Sequence, residues 1–135
     1  MTAVDARTER WSRREDIEWI QADVRGFDVA VFDVVACLGL FYHLPCADQL
    51  DLLKRCCGKP LILDTHYSLS TSVVCNGYQG QMYREPGLLT SSWGNAESFW
   101  PLESDLVRML SDCGFRQVLK WVPSYRKNRA FFLAR

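Results

Sequence analysis

His43 and His66 are the two histidines of this chain, and imidazole is the side chain whose ordinary titration falls near neutral pH. Each stands beside a tyrosine, in Tyr42-His43 and His66-Tyr67. An imidazole so placed can take a proton from a reacting hydroxyl or amine. It can equally pin a loop through hydrogen bonds, and the sequence leaves both roles open. Asp5 and Asp23 are candidates of a second kind. Each closes a short run that reads as a strand end, in A-V-D and Q-A-D-V. A carboxylate there can accept two neighbouring hydroxyls, as happens with ribose in dinucleotide-binding folds. The ordinary alternative is an aspartate that shapes a turn. Gly39 follows the apolar run V-V-A-C-L, where a missing side chain lets the backbone pass close to a ligand or simply turn.

These residues need a scaffold, and the hydrophobic pattern supplies one. Residues 1–6 read as the tail of a strand. Residues 16–21 read as a second, with Ile17, Trp19 and Gln21 against Glu18 and Ile20. Residues 7–14 are charged and predict a short helix or turn. The block 32–38 is short, apolar and β-branched, as suits a central parallel strand covered on both faces. Leu50, Leu53 and Cys57 recur at helical spacing and predict a helix over 46–57. Gly58 ends it, and Lys54 and Arg55 complement its dipole. Another buried strand at 60–65 delivers His66 and Tyr67 to its carboxyl end. Strand, helix and strand make a βαβ unit with parallel strands, so His43 and His66 should end on the same edge.

Residues 67–100 mix Ser, Thr, Gly and Asn with Tyr67, Tyr78, Tyr83, Trp93, Phe99 and Trp100. A stretch this long without clear periodicity predicts an insert or lid over the strand ends. Its aromatics offer a wall for a planar or sugar-bearing molecule, or a small core of their own. Leu102, Leu106, Met109, Leu110 and Cys113 mark a helix over 102–113, which Gly114 stops. Strands at 116–122 and 130–134, joined by P-S-Y-R-K-N, predict an antiparallel hairpin.

A length of 135 residues bounds the answer to a single domain, 1–135. Sixteen basic and sixteen acidic residues cancel, so net charge indicates neither a nucleic-acid nor a membrane partner. Arg7, Arg10, Arg13 and Arg14, and then Arg126, Lys127 and Arg129, could meet RNA phosphates. Interleaved Glu9, Glu15 and Asp16 favour a solvated face instead. Six cysteines without a C-x-x-C pair read as reduced thiols of a cytoplasmic protein. Cys37, His43 and Cys46 match no zinc spacing, so no metal is expected. No apolar run approaches the roughly 20 residues that span a bilayer.

The run F-D-V-V-A-C-L-G-L-F-Y-H-L-P, residues 32–45, resembles the fourth-strand region of class I S-adenosylmethionine (SAM)-dependent methyltransferases. The resemblance covers nearly the whole chain. It implies an α/β, Rossmann-like methyltransferase sheet, mostly parallel, with a C-terminal antiparallel hairpin. It places Asp5 on the ribose of SAM. It sets Asp23 and Val24 against the adenine, Leu38 and Gly39 beside the methionine moiety, and Tyr42 and His43 at the cofactor or methyl acceptor. His66 would stand on the acceptor side. S-F-W-P before the second helix resembles a junction in a subgroup related to tRNA wobble-uridine, sugar and natural-product enzymes. Leu102 departs from that pattern, since leucine cannot cap a helix.

The family's glycine-rich first motif is missing, because no G-x-G occurs. The chain therefore reads as beginning inside the second strand and lacking the first. The expectation is a SAM-dependent methyltransferase acting on a small-molecule, sugar or tRNA-nucleoside acceptor, with His43 or His66 as base. The alternative is a non-catalytic methyltransferase-like fragment or subunit that binds a protein partner. Three accounts of the missing strand stay open: a start assigned too late, a remnant chain, or an oligomer or partner chain that completes the sheet.

Overall fold

A four-stranded mixed sheet carries both histidine-bearing segments. The computed structural model describes residues 1–9, 11–124 and 127–135. In chain order, β1 (Thr2–Asp5) and β2 (Glu18–Gln21) form a parallel pair of their own. β3 (Val35–Leu38) then leads through a one-turn 3-10 helix (Phe41–His43) into α1 (Cys46–Cys56) and β4 (Leu61–His66). Three antiparallel strands follow as a separate sheet: β5 (Val73–Cys75), β6 (Tyr78–Arg84) and β7 (Glu97–Pro101). α2 (Glu103–Asp112), β8 (Val118–Trp121) and β9 (Arg129–Ala134) complete the chain. The central sheet has the order β3-β4-β9-β8. β3 and β4 are parallel, whereas β9 is antiparallel to both of its neighbours.

The expected βαβ unit and closing hairpin are both present. Residues 67–100, expected as an insert or lid, build the β5-β6-β7 sheet rather than an open loop. Helices α1 and α2 cover one face of the central sheet. Cys37, Leu61, Leu63, Phe132 and Ala134 meet Leu52, Leu53 and Cys56 of α1 and Leu106, Met109 and Leu110 of α2. Each Leu, Met or Phe among them contributes about 1.5–3 kcal/mol when fully buried. The α1 stripe is rotated from the sequence expectation. Gln49, Leu52, Leu53 and Cys56 are buried, while Cys57 is exposed and Leu50 only partly covered. The apolar residues on both sides of the predicted stripe made the phase ambiguous by one position.

Strand β3 is also shorter than expected, and the expectation of cover on both faces fails. Val35 and Cys37 face the helices, but Ala36 and Leu38 are exposed, Leu38 to 60 %. Ala36, Ile62, Leu133 and Leu119 stand side by side across the four strands, and all are exposed. One face of the central sheet is thus a bare apolar surface. Among the described residues of 7–14 there is a turn and no helix, closed by the Trp11 N–H on the Thr8 carbonyl. Tyr125 and Arg126 of the hairpin turn, and Arg10, lie outside the described residues.

Candidate functional site

The carboxyl ends of β3 and β4 bring the expected aromatic and imidazole groups together. Gly39 follows β3 with φ +69° and donates its N–H to the Asp64 carbonyl at 3.1 Å. A left-handed residue here turns the chain sharply, which is glycine's role. The 3-10 turn then presents Tyr42 and His43. The Tyr42 ring lies 4.3 Å from the His43 ring and 4.7 Å, edge on, from His66 at the end of β4. The indole of Trp100, from β7, stacks on His66 at 4.8 Å and on Tyr83 at 4.7 Å. The Trp100 Nε1–H donates to the Tyr42 carbonyl at 2.9 Å, joining the insert to the turn. The two histidines therefore flank one tyrosine, as adjacent parallel strands require.

Charge is placed at the same edge. Asp64 on β4 forms a two-pronged ion pair with Arg129 of β9, and the guanidinium also lies over the Tyr42 ring at 5.6 Å. A Cβ on Gly39 would meet that guanidinium at 3.5 Å, so the turn runs tightly past it. His43 bonds through Nδ1 to Glu85 at 2.9 Å. The Glu85 side chain is only 2 % exposed. Burial pushes its carboxyl up, but bonds from Ser98, His43 and the Ser92 N–H outweigh burial and leave it below the usual range. Asn95 donates to the His43 carbonyl at 3.2 Å. Buried Gln49 donates to the carbonyls of Phe41, Leu44 and Phe99, at 2.6–3.1 Å. It fixes the turn to α1 and β7 at once.

Asp5 and Asp23 lie apart from this cluster, at the ends of the β1–β2 pair, which shares no ladder with β3. Asp5 is exposed and accepts the Arg7 N–H with one oxygen, at 2.9 Å. Both oxygens of Asp23 are held by the Arg25 guanidinium, which keeps its carboxyl below the usual range. Arg25 also lies 3.9 Å from Asp48 of α1. The Val24 carbonyl accepts from Arg55 at 3.0 Å. Leu38 stands exposed on the open face.

Sequence reasoning missed Glu85, Gln49 and Arg25, and read Arg129 only as part of a basic surface. Glu85 is 42 positions from His43, and nothing local marks it. The basic residues resolve differently from a phosphate-binding face. Arg7 donates to the carbonyls of Leu89, Ser91 and Ser92, Arg14 pairs with Asp16, and Arg129 with Asp64. The buried thiols offer no nucleophile: burial pushes Cys37 up to about 12 and Cys46 to about 11. All six cysteines are free. Among the described residues no group of His, Cys, Asp or Glu is placed to hold a metal, and no helix is long and apolar enough to cross a membrane.

No family model and no curated protein matches the chain. Solved structures do. The chain is similar to the N-terminal domain of EvdMO1, crystallised with SAH bound, at 25 % identity and TM-score 0.70. That match covers 87 % of this chain and 52 % of the other. It is also similar to the Burkholderia thailandensis 1,6-didemethyltoxoflavin-N1-methyltransferase, solved with 1,6-didemethyltoxoflavin and S-adenosylhomocysteine. There the identity is 15 % and the TM-score 0.63, over 98 % of this chain and 59 % of that one. The glycopeptide N-methyltransferase MtfA, complexed with (S)-adenosyl-L-homocysteine, matches at 16 % identity and TM-score 0.53, covering 87 % and 60 %. The chain thus spans between half and three-fifths of the length of these proteins. It shares the α/β fold of SAM-dependent methyltransferases, as the resemblance in residues 32–45 implied.

Proposed function

We propose that this chain is a SAM-dependent methyltransferase domain that acts on a small-molecule acceptor, with sugars and nucleosides within the class. The observation that carries the reading is the cluster at the β3 and β4 ends, on a fold shared with proteins crystallised with SAH. When bound, SAM supplies a methyl group already activated by its sulfonium, so the protein's work is to orient and to exclude water.

The residues fit the cofactor unevenly. The tight left-handed turn at Gly39 lets backbone approach a ligand, with exposed Leu38 as apolar wall. Asp5 has an exposed carboxylate at a strand end, suited to ribose hydroxyls. Asp23 would have to exchange one Arg25 contact to accept the adenine amino group, with Val24 beside it. Tyr42 walls the cofactor from the imidazoles. His43 and His66 face the acceptor as proton acceptors, and the sheet β5–β7 closes over them as the substrate-side insert.

The sheet order supports a further element of this reading. β1 and β3 both run parallel to their partners yet do not pair with each other. A parallel strand between them would give the order β2-β1-strand-β3-β4-β9-β8, with the first strand of the family in the central place. The crossover from β3 through α1 to β4 runs one way across the sheet. A crossover from the added strand to β1 would run the other way, and right-handed connections then put its helix on the opposite face. That face is the bare one formed by Ala36, Ile62, Leu133 and Leu119. The same surface supports a second reading, a non-catalytic methyltransferase-like subunit that docks a protein partner there.

Calorimetric titration of S-adenosylhomocysteine into the folded chain separates the two. Micromolar binding that Asp5→Ala weakens supports the methyltransferase reading. A chain that is folded by circular dichroism and binds no S-adenosylhomocysteine overturns a cofactor site in this domain by itself and favours the docking subunit.

A further inference from the structure

The bond between His43 and Glu85 has a definite chemical sense. An ionised carboxylate only accepts hydrogen bonds, so the Nδ1 that meets Glu85 Oε1 at 2.9 Å carries a proton. In a neutral imidazole the other nitrogen, Nε2, then holds the lone pair. Glu85 is fixed as firmly as the bond requires. The Ser98 hydroxyl donates to Oε1 at 2.7 Å and the Ser92 N–H to Oε2 at 3.1 Å. The carboxylate is nearly sealed from water, whereas the His43 side chain keeps 16 % of its surface exposed, beside Tyr42. The arrangement is a buried orienting acid behind a partly open imidazole.

We propose that Glu85 is a positioning residue that holds His43 with Nε2 as a base, an arrangement suited to a hydroxyl acceptor. The acceptor class rests on the methyltransferase reading; the dyad itself does not. A neutral amine can attack a methyl group without first losing a proton. An alcohol or phenol must lose its proton as the new bond forms, and a fixed base serves that need. The balance is simple. The acceptor O–H breaks as its oxygen bonds to the methyl carbon, and the proton goes to Nε2. The electron pair of the broken methyl–sulfur bond stays on sulfur. The positive charge lost by the sulfonium reappears on the imidazolium, next to the Glu85 carboxylate. The β6–β7 pair, with Glu85 just after β6 and Ser98 within β7, thus assembles the base rather than merely covering it.

The test uses the two histidines as reporters. In the His66→Gln background His43 is the remaining histidine, and its 15N spectrum, taken at a pH alkaline enough for a neutral imidazole, should show an unprotonated Nε2. Diethylpyrocarbonate, which acylates the free lone pair, should modify His43 in the folded chain. In Glu85→Gln the amide can donate to Nδ1 and reverse the tautomer, as replacing an orienting acid by an amide does in serine proteases. The nitrogen signals should exchange, and modification should slow by about tenfold, the scale of losing a carboxylate behind a metal-ligating imidazole. Glu85→Asp should restore part of the rate. Urea unfolding of each variant identifies any that fails to fold. A protonated Nε2 in the parent, protection of His43 from the reagent, or an unchanged rate in folded Glu85→Gln overturns the proposal. S-adenosylhomocysteine titration of the same samples keeps the two readings apart. Binding with an inert His43 rejects only the dyad, and a reactive, oriented His43 without binding supports the dyad and rejects the cofactor.

Discussion

The imidazole of His66 lies flat against the indole of Trp100, with ring centroids 4.8 Å apart and planes 13° from parallel. One residue ends a strand of the central sheet and the other sits in the insert, so this stack couples the two sheets at the site. Trp100 also stacks on Tyr83 and bonds to the Tyr42 carbonyl. Trp100→Ala removes all three links. Loss of a packed tryptophan costs about 3–5 kcal/mol, and urea denaturation should show a drop near the lower end because Trp100 is only partly buried. Trp100→Phe should recover about half, since a ring remains but the N–H does not. A loss below about 1 kcal/mol for Trp100→Ala would mean that the insert does not depend on this stack.

Gln49 and Phe99 make a second such coupling, from α1 to β7. The Gln49 amide is fully buried and donates to three carbonyls, on Phe41, Leu44 and Phe99. Gln49→Leu keeps the volume and removes the side-chain donor from the Phe99 carbonyl, while the Phe41 and Leu44 carbonyls keep the Leu44 and Phe99 N–H groups. A buried group that loses its partner costs about 1–3 kcal/mol, so the variant should lose about that much by urea denaturation. The turn carrying Tyr42 and His43 should also exchange its amide hydrogens faster. Unchanged stability would show that the carbonyls find other donors.

Much of the frame was legible because it rests on local pattern. The βαβ unit from β3 to β4, the stripe of α2 and the β8–β9 hairpin follow from residue spacing and turn chemistry alone. The turn at Gly39 could be read because a glycine after an apolar run readily takes the left-handed conformation that leaves the strand. The site's long-range partners could not. Glu85 meets His43 across 42 positions and Arg129 meets Asp64 across 65. Such pairs are set by how sheets close on one another, which periodicity does not encode. The bare face was misread for a related reason. A β-branched run resembles a strand covered on both sides, whether or not the second cover is present.

Acid should weaken the fold at Asp105 in a predictable direction. Burial pushes this carboxyl up, but the Arg108 guanidinium and a bond from the Gln79 backbone more than offset that and hold it below the usual range. A group whose pKa is lower in the folded state is favoured by folding when ionised. Its contribution is complete above the unfolded value of about 3.9 and disappears as pH falls through the folded value. The urea midpoint should therefore decline between about pH 5 and pH 2, more steeply in the parent than in Arg108→Met. Parallel acid limbs in the two proteins would show that the pair adds nothing to pH dependence.

The bare face of the central sheet governs how the isolated chain behaves in solution. Leu119 and Leu133 stand opposite each other on β8 and β9, exposed to 67 % and 46 %. Trp121 lies near Phe131 on the same face, rings 5.3 Å apart. Contiguous apolar surface of this kind binds hydrophobic dyes and drives association. The chain should bind anilinonaphthalene sulfonate while natively folded, and light scattering should show a mass that rises with concentration. Leu119→Lys combined with Leu133→Glu places opposite charges on a directly paired site, where they attract rather than repel. The double variant should lose dye binding and remain monomeric, with stability changed by no more than about 0.5–1 kcal/mol. A loss of several kcal/mol would instead show that these leucines hold the sheet together, and an unchanged association would place the sticky surface elsewhere, on the unpaired edges of β1 and β3.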